Sequence, residues 1–304
     1  MSDTAESLRR KIGSAGELQS VVRTMKALAA SSVGQYEKSV LALADYYRTV
    51  ELGLGACLRA GELEGPIMKP GPFGRPEATN AIVFGSDQGL VGQFNDLVVD
   101  YAIKALADLP GLPQVWAVGE RVHARLADAG VELLGLFIVP NSIQAITSLV
   151  GRIQVASETQ RAATGSANLW VFHNRPQSGA LYASVGQRLL PLDRQWSQRL
   201  ADAPWPTSSF AEVVGGRDAT LHALIREYLF ISLFRACAES LASENASRLA
   251  AMQRADKNIN DLLEQLQATS NQLRQSGIDE ELFDVISGFE ALGGSQRQSS
   301  GARP

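Results

Sequence analysis

The stretch ASENASRLAAMQRADKNINDLLEQLQATSNQLRQSGIDEELFDVISGFEAL (Ala242–Leu292) has apolar residues at helical spacing along its length, and the pattern begins near residue 206. Apolar positions recurring at such intervals form one face of a helix, and here they include Leu221, Leu224, Leu229, Leu233, Leu241, Leu249, Met252, Ile259, Leu262, Leu263, Leu266, Leu273, Ile278, Leu282, Val285, Ile286 and Phe289. A helix of about 80 residues is on the order of 120 Å long, which exceeds the width of a domain of this size. We therefore predict a helix over residues 206–292 that leaves the globular part and buries its apolar face against another helix or a partner.

A second long helix is predicted over residues 1–60. Its apolar residues also recur at helical spacing, and they are Leu8, Ile12, Leu18, Val21, Val22, Met25, Leu28 and Val33. Gly13, Gly16 and Gly34 each weaken a helix by up to about 1 kcal/mol relative to alanine, so this helix needs tertiary support. We expect the two terminal helices to pair as a long antiparallel α-helical coiled coil.

The middle of the chain has the pattern of an α/β domain. Residues 61–80 (GELEGPIMKPGPFGRPEATN) are rich in proline and glycine and are predicted to be a linker. Within residues 81–205 the predicted strands are Ala81–Ser86, Pro113–Gly119, Val131–Val139, Leu169–Pro176 and, at an edge, Ala183–Leu192, and Asn141 is the predicted cap of a helix. Strands joined by helices form right-handed parallel crossovers. We therefore predict a Rossmann-like, mainly parallel sheet domain inserted between the N- and C-terminal helices.

Composition excludes several classes of protein. The 304 residues carry a net charge of −4, which argues against nucleic-acid binding by the chain as a whole. The two cysteines, Cys57 and Cys237, are too few for a disulfide scaffold or a zinc cluster. No run of about 18 apolar residues occurs, so we expect no transmembrane segment. Residues 293–304 contain few apolar side chains and are predicted to be disordered.

The sequence offers no arrangement of residues that indicates catalysis or metal binding. Ser86–Asn95 (SDQGLVGQFN) lies between a strand and a helix, where a phosphate loop could lie, but the Gly-Lys-Ser/Thr of a Walker A loop is absent. A tight turn in which Asp87 binds local backbone amides is favoured over nucleotide binding. His123, His173 and His222 are far apart in the sequence and suggest no shared metal or catalytic role.

Three segments resemble F-type ATP synthase γ subunits. Leu8–Ser31 (LRRKIGSAGELQSVVRTMKALAAS) is similar to their N-terminal segment, Ser86–Asn95 to a turn usually written S-D-R-G-L-C-G-x-x-N, and Ala242–Leu292 to their C-terminal signature. Together these segments cover about a third of the chain, in the family's order. Departures from the family pattern, which indicate a divergent branch, are Ser32, Gln88, Val91, Asp279 and Phe289. The stretches VVRTMKALAAS and ISGFEAL resemble the alternate, sodium-type F-ATPases.

The resemblance implies a mechanical function. Subunits of this family are the central-stalk rotor, which couples ion translocation through a membrane ring to ATP synthesis or hydrolysis at the β subunits by rotation. The resemblance implies no catalytic site, cofactor or metal on this chain, because ATP, ADP and Mg²⁺ bind to partner subunits. The implied partners are a hexamer of α and β subunits, the ε subunit and the membrane c-ring, with one copy of this chain per complex. The implied location is peripheral, on the cytoplasmic face of the cell (inner) membrane.

The resemblance also indicates contact residues in the first helix. Arg23, Met25 and Lys26 match the region that passes an acidic loop of the β subunits in the family. Basic charge there would give a moderate, salt-dependent attraction. A solvated basic face that also includes Arg9–Lys11 explains the same residues without any partner.

Further contact residues are implied near the end of the C-terminal helix. Arg274 and Gln275 match a pair that contacts a catch loop of a β subunit, for which the forked guanidinium of arginine is well suited. A surface ion pair of Arg274 with a nearby glutamate such as Glu280 or Glu281 is the alternative. The implied helix tip, which turns inside an apolar sleeve of α and β subunits, contains Ile286, Phe289 and Leu292. Ordinary coiled-coil packing is the alternative for these three residues.

Two other functions are compatible with the sequence. One is a nucleotide-binding α/β enzyme with oligomerising helices, which predicts a measurable heat of nucleotide binding by the isolated chain. The other is a structural coiled-coil scaffold. It predicts that charge reversal at Lys26 or Arg274 leaves any associated ATPase activity unchanged.

Overall fold

The computed structural model describes residues 4–59, 79–109, 111–165, 168–178, 180–207, 212–213 and 216–298, with the backbone alone for residue 180 and for 288–298. The predicted linker lies outside the described residues up to residue 78, whereas its last two residues, Thr79 and Asn80, begin the first strand. The chain divides into two compact units. We call Met1–Lys26 with Met252–Pro304 the helical unit, and Ala27–Ala251 the sheet unit. The sheet unit is larger than the predicted domain 81–205 because it includes parts of both long helices.

The N-terminal region forms two helices rather than the predicted single helix. They are α1 (Ala5–Ala42) and α2 (Ala44–Arg59), and they meet at Leu43. The Leu43 amide donates to the Val40 carbonyl three residues back, at 3.3 Å, which is a tighter turn than that of an α-helix. The break lets α2 bury its own apolar face, which includes Leu54 and Leu58, in the core of the sheet unit.

The helical unit is an antiparallel pair of helix segments, as predicted. Gln19 of α1 donates a hydrogen bond to Asn260, and Lys26 binds Asp256, so rising numbers on α1 meet falling numbers on the C-terminal helix. Residues of this unit that are buried lie seven positions apart, and they are Leu8, Ala15 and Val22 on α1 and Met252 and Ile259 on the partner helix. A repeat of seven residues is the pattern of a left-handed coiled coil.

The buried face of α1 is narrower than the sequence predicted. Leu18, Val21 and Leu28 belong to the predicted apolar face, but their side chains are 54%, 56% and 64% exposed. A coiled-coil seam buries fewer positions per turn than a helix packed on a globular core. Exposed apolar residues therefore remain on α1 beside the seam.

The sheet unit contains one five-stranded sheet with the order β3-β2-β1-β4-β5. The first four strands in that order are parallel, and β5 is antiparallel to β4 at the edge. The elements between the terminal helices are β1 (Thr79–Phe84), α3 (Phe94–Ala107), β2 (Pro113–Val118), α4 (Glu120–Asp128), β3 (Glu132–Phe137), α5 (Ile143–Thr164), β4 (Asn168–Gln177), β5 (Ala180–Leu190) and α6 (Arg194–Asp202). The predicted fold class, a mainly parallel α/β sheet between long terminal helices, is confirmed.

Both faces of the sheet are covered by helices. Ile82 and Phe84 of β1 pack with α2, α5 and the C-terminal helix, whereas Ala81 and Val83 pack with α3 and α4. None of these four side chains is more than 1% exposed. Burial on both faces explains why the strand reads as a continuous apolar run rather than as an alternating one.

Two details of the sheet unit differ from the sequence prediction. Ser142 rather than Asn141 caps α5, because its Oγ accepts a hydrogen bond from the Ala145 amide at 3.3 Å. Helix α6 was not predicted. Asp193 caps it by accepting a hydrogen bond from the Trp196 amide at 3.0 Å, and α6 packs Trp196, Leu200 and Ala201 against the core.

The C-terminal helix, α7 (Arg217–Gln298), is 82 residues long. It starts later than the predicted residue 206 and continues past the predicted end at Leu292. Residues 293–298, which were predicted to be disordered, therefore have a helical backbone, and residues 299–304 lie outside the described residues. Two glycines at 293–294 cost only about 1 kcal/mol each in a helix, and no proline interrupts the segment.

The buried carboxylate of Glu239 links α7 to strand β4 of the sheet through hydrogen bonds. Glu239 of α7 is 5% exposed and accepts hydrogen bonds from His173 Nε2 and Arg175 Nε of β4, both at 2.8 Å, and from Arg235 Nε at 2.7 Å. Burial acts to raise the pKa of Glu239, but these three hydrogen bonds outweigh it and lower the pKa to about 2. Burial lowers the pKa of His173, so its ring is neutral and donates through Nε2. We call these four residues the Glu239 cluster.

Candidate functional site

The turn between β1 and α3 ties together the carboxyl ends of three strands. Asp87 Oδ1 accepts a hydrogen bond from the Glu120 amide at 3.0 Å, and Asp87 Oδ2 accepts one from the Val139 amide at 2.9 Å. Glu120 begins α4 after β2, and Val139 follows β3. The prediction that Asp87 binds local amides was wrong in one respect, since its partners lie 33 and 52 residues away.

This arrangement occupies the position where a Rossmann-like sheet binds phosphate. Ligands of open α/β sheets bind beyond the carboxyl ends of the strands, often at a helix N-terminus. Here the Asp87 carboxylate already accepts from the first amide of α4. The Ser86 amide in the same turn donates to Asn95 Oδ1 at 3.0 Å. The geometry therefore does not favour the alternative of a nucleotide-binding enzyme.

Two of the candidate contact residues on α1 are paired inside the helical unit. Asp256 lies 3.2 Å from Arg23 Nε and 2.7 Å from Lys26 Nζ. The hydrogen bond from Lys26, followed by that from Arg23, lowers the pKa of Asp256. Asp256 neutralises one of the two positive charges, so one remains, and Met25 between them is half-buried. The predicted basic surface is therefore weaker than the sequence indicated.

Arg274 and Gln275 lie together on an exposed part of α7. Both side chains are exposed, and among the described residues Arg274 forms no ion pair within the 4.0 Å limit of a salt bridge. The alternative of an ion pair with Glu280 or Glu281 is therefore not observed. An exposed guanidinium with its hydrogen-bond donors free is available to a partner.

The segment of α7 that follows exposes apolar and acidic side chains together. Every described side chain from residue 278 to residue 287 is exposed. The large apolar side chains among them, which we call the apolar tip, are Ile278, Leu282, Phe283, Val285 and Ile286. Exposed apolar surface concentrated on one segment is typical of an interaction surface. Coiled-coil packing is not observed for Ile286, which is 49% exposed.

The structure extends the predicted set of tip residues. Phe289 and Leu292 lie within the bounds of α7, but their side chains are outside the described part of the structure. Sequence analysis missed Phe283, which is 74% exposed. The sequence could have indicated Phe283, because it is an aromatic residue outside the apolar face of the helix, where solvated polar side chains are expected.

The side chains of His173, Cys57 and Cys237 are buried in the sheet unit. His173 belongs to the Glu239 cluster, and Cys57 and Cys237 are buried and free. In the part of the chain that the structure describes, no group of three or more His, Cys, Asp or Glu side chains is arranged to hold a metal ion. A search of the same residues finds no helix with the length and hydropathy needed to span a bilayer.

Comparison with known proteins agrees with this architecture. The ATP synthase gamma chain of Parafrankia sp. (strain EAN1pec) is 26% identical over 293 residues, which cover 93% of this chain and 96% of the relative. A chain from the central stalk and c-ring of the Tetrahymena thermophila mitochondrial ATP synthase superposes with a TM-score of 0.54 at 21% identity, covering 77% of this chain and 99% of that one. A rotor chain of the Euglena gracilis mitochondrial ATP synthase gives a TM-score of 0.60 at 14% identity, covering 90% and 98%.

Because these two solved structures are only 21% and 14% identical to this chain, their similarity establishes the fold alone. The family follows from the sequence as a whole, since the profile of the family described as ATP-synt, ATP synthase, matches residues 4–292. That match includes both long helices, the sheet and the apolar tip. The chain therefore belongs to the ATP synthase family, among its gamma chains.

Proposed function

We propose that this chain is the central-stalk rotor subunit of an F-type ATP synthase and works by rotation inside a hexamer of α and β subunits. The observation that carries the proposal is α7. Its first part is fastened to the sheet by the Glu239 cluster, and its last described side chains form the exposed apolar tip. A helix that is held to the sheet in its first part and exposes large apolar side chains in its last described part suits a shaft that turns against a partner.

The chain itself carries out no chemistry in this proposal. ATP, ADP and Mg²⁺ bind to the α and β subunits, and the occupied amide of Glu120 supports the absence of a phosphate site here. One copy of the chain joins the hexamer to the ε subunit and to a membrane c-ring, at the cytoplasmic face of the cell membrane. A measurable heat of ATP binding by the isolated chain would contradict this division of roles.

Coupling requires that each rotor angle stabilise one β-subunit conformation over the others by a difference in contact energy. The proposed contacts are the Arg23–Lys26 surface, the pair Arg274 and Gln275, and the tip extended by Phe289 and Leu292. Since Asp256 leaves one net positive charge at the first surface, the attraction there is moderate and screened by salt. That suits a contact that must be released in each turn.

The double substitution Arg274→Ala with Gln275→Ala is expected to lower coupled ATP synthesis several-fold in the reconstituted complex while leaving assembly intact. Loss of charged hydrogen bonds costs about 1.5–3 kcal/mol each, and both side chains are exposed, so the fold is unaffected. The measurement is ATP synthesis driven by an ion gradient in vesicles. The rate of ATP synthesis is compared with the amount of α and β subunits that copurify with the chain.

The matched control is Gln253→Ala with Arg254→Ala, an exposed pair of the same two residue types on the same helix. The control complex should synthesise ATP at the wild-type rate. Equal rates for the two double variants would contradict the assigned contact, whereas failure of the wild-type chain to assemble with α and β subunits would contradict the rotor proposal itself.

A further inference from the structure

Polar side chains are buried where α7 packs on the sheet. Glu239, Ser243 and Ser247 are 5%, 0% and 4% exposed. They are spaced four residues apart, so they lie along one face of the helix. A buried helix face is ordinarily apolar, because a polar group taken out of water costs free energy unless a hydrogen bond compensates it. We call these three residues the polar stripe.

Each member of the polar stripe binds a different point of the sheet. Ser243 Oγ donates a hydrogen bond to the Asn174 carbonyl of β4 at 3.0 Å, and Ser247 Oγ donates one to the Val91 carbonyl in the β1–α3 turn at 2.6 Å. Glu239 accepts two more from β4, as described above. Between Glu239 and Ser247 the helix rises by about 12 Å. These four hydrogen bonds therefore hold α7 along a length of helix rather than at one point.

The acceptor of Ser243 is itself held by two other elements. The side chain of Asn174 is fully buried. Its Nδ2 donates a hydrogen bond to the Phe94 carbonyl at the start of α3, at 2.8 Å, and its Oδ1 accepts one from Ser184 Oγ of β5, at 2.7 Å. A force applied to β4 through Ser243 is therefore shared with α3 and β5.

Hydrogen bonds resist rotation of a helix in a way that apolar contacts do not. Turning α7 by about 30° about its own axis would shift its Cα atoms by about 1.2 Å and its side-chain oxygens by more. Such a shift lengthens and bends all four hydrogen bonds of the polar stripe together, and hydrogen bonds weaken steeply when they are bent. Apolar burial is not directional, so the same rotation changes it little.

We propose that the polar stripe is the junction through which torque passes between the sheet and α7, with Ser243 and Ser247 as positioning residues that fix the angle of the helix. This inference rests on the proposed rotor function. Helix α7 continues past Ala251 into the helical unit as one element, so an angle that is fixed at the stripe is carried along the helix. Apolar packing of α7 would stabilise the fold without fixing that angle.

The test compares two rates for the double substitution Ser243→Ala with Ser247→Ala. One is ATP hydrolysis by the complex free of the membrane, in which little torque crosses the junction, and it should stay close to the wild-type rate. The other is ATP synthesis driven by an ion gradient in vesicles, in which the full torque crosses it. Synthesis per assembled complex should fall at least about twofold, because two of the four hydrogen bonds are lost. A merely structural defect would lower assembly and leave the ratio of the two rates unchanged.

The matched control is Ser240→Ala on the same helix. Ser240 is 2% exposed, and within the described part of the chain its Oγ has no hydrogen-bond partner, so this variant should keep the wild-type ratio of synthesis to hydrolysis. An unchanged ratio in the double variant, or an equal fall in Ser240→Ala, would overturn this inference alone. If the double variant fails to assemble, Ser247→Ala decides the outcome by the same ratio. A wild-type chain that does not assemble with α and β subunits would overturn the rotor proposal and this inference with it.

Discussion

Glu239→Ala is expected to lower the free energy of unfolding of the sheet unit by about 3 kcal/mol, because it leaves buried donors without an acceptor. Removing one partner of a buried charged network costs about 3–5 kcal/mol. The lower end applies because the side chains of Arg175 and Arg235 are 41% and 49% exposed and can turn toward water, whereas that of His173 is 1% exposed and cannot. Urea unfolding followed by tryptophan fluorescence measures the loss, since all 4 tryptophans lie within residues 27–251.

The control for this substitution is Glu227→Ala on the same helix. Glu227 is exposed and accepts one hydrogen bond, from Tyr46 Oη at 2.7 Å. Exposed polar pairs contribute about 0–1 kcal/mol, so this variant should remain close to the wild type. Equal destabilisation by the two substitutions would show that Glu239 does not fasten α7 to the sheet.

The same cluster predicts how stability depends on pH. The pKa of Glu239 is about 2 in the folded chain and about 4.3 in an unfolded one. A carboxylate with a depressed pKa stabilises the fold above the unfolded value, and this contribution, on the order of 3 kcal/mol, is lost as the pH falls from 4.3 toward 2. His173, buried and neutral, adds a loss that begins as the pH falls through about 6.5. Urea midpoints of Glu239→Gln should therefore depend less on pH below about 4.3 than those of the wild type.

Gly85→Ala is expected to destabilise the sheet unit by about 3 kcal/mol, at the upper end of the cost of overpacking a core. A Cβ at residue 85 would lie 1.9 Å from Val122 Cγ2 and 2.8 Å from Asn95 Oδ1. Val122 is fully buried, and a valine side chain is too short to move aside. Thermal unfolding by circular dichroism measures the effect.

Val122→Ala provides the internal control for Gly85→Ala. Alone it should destabilise the chain by roughly 2 kcal/mol through loss of packing. Combined with Gly85→Ala it should recover at least about 1 kcal/mol, because the two substitutions exchange volume across one contact and their effects are not additive. Simple addition of the two losses would show that the contact with Val122 Cγ2 is not the cause.

Much of the fold was predictable because it depends on local patterns. The helical spacing of the apolar residues of α1 and the apolar run of β1 are visible in the sequence, whereas the buried seam residue Ala15 was identified only by the structure. Helix α6 and the break at Leu43 were not predictable in this way. Both depend on which surfaces a segment can reach after the chain has folded, and local propensity does not encode that.

The candidate site was predictable only in part. The pair Arg274 and Gln275 was found by resemblance, and the structure leaves it exposed. The pairing of Arg23 and Lys26 with Asp256 was not foreseen, because these residues are 233 and 230 positions apart. Contacts between distant residues depend on the register of two helices, which composition and periodicity do not specify.

The sequence by itself determined the two long helices, the parallel sheet between them and the absence of a recognisable catalytic motif, because periodicity and motif spacing are properties of neighbouring residues. Only the tertiary structure decided that Asp87 accepts hydrogen bonds from the amides of Glu120 and Val139, that three side chains converge on Glu239 and that the described side chains of the apolar tip are exposed. Hydrogen bonds and burial depend on distances in space, and those are set when the chain folds.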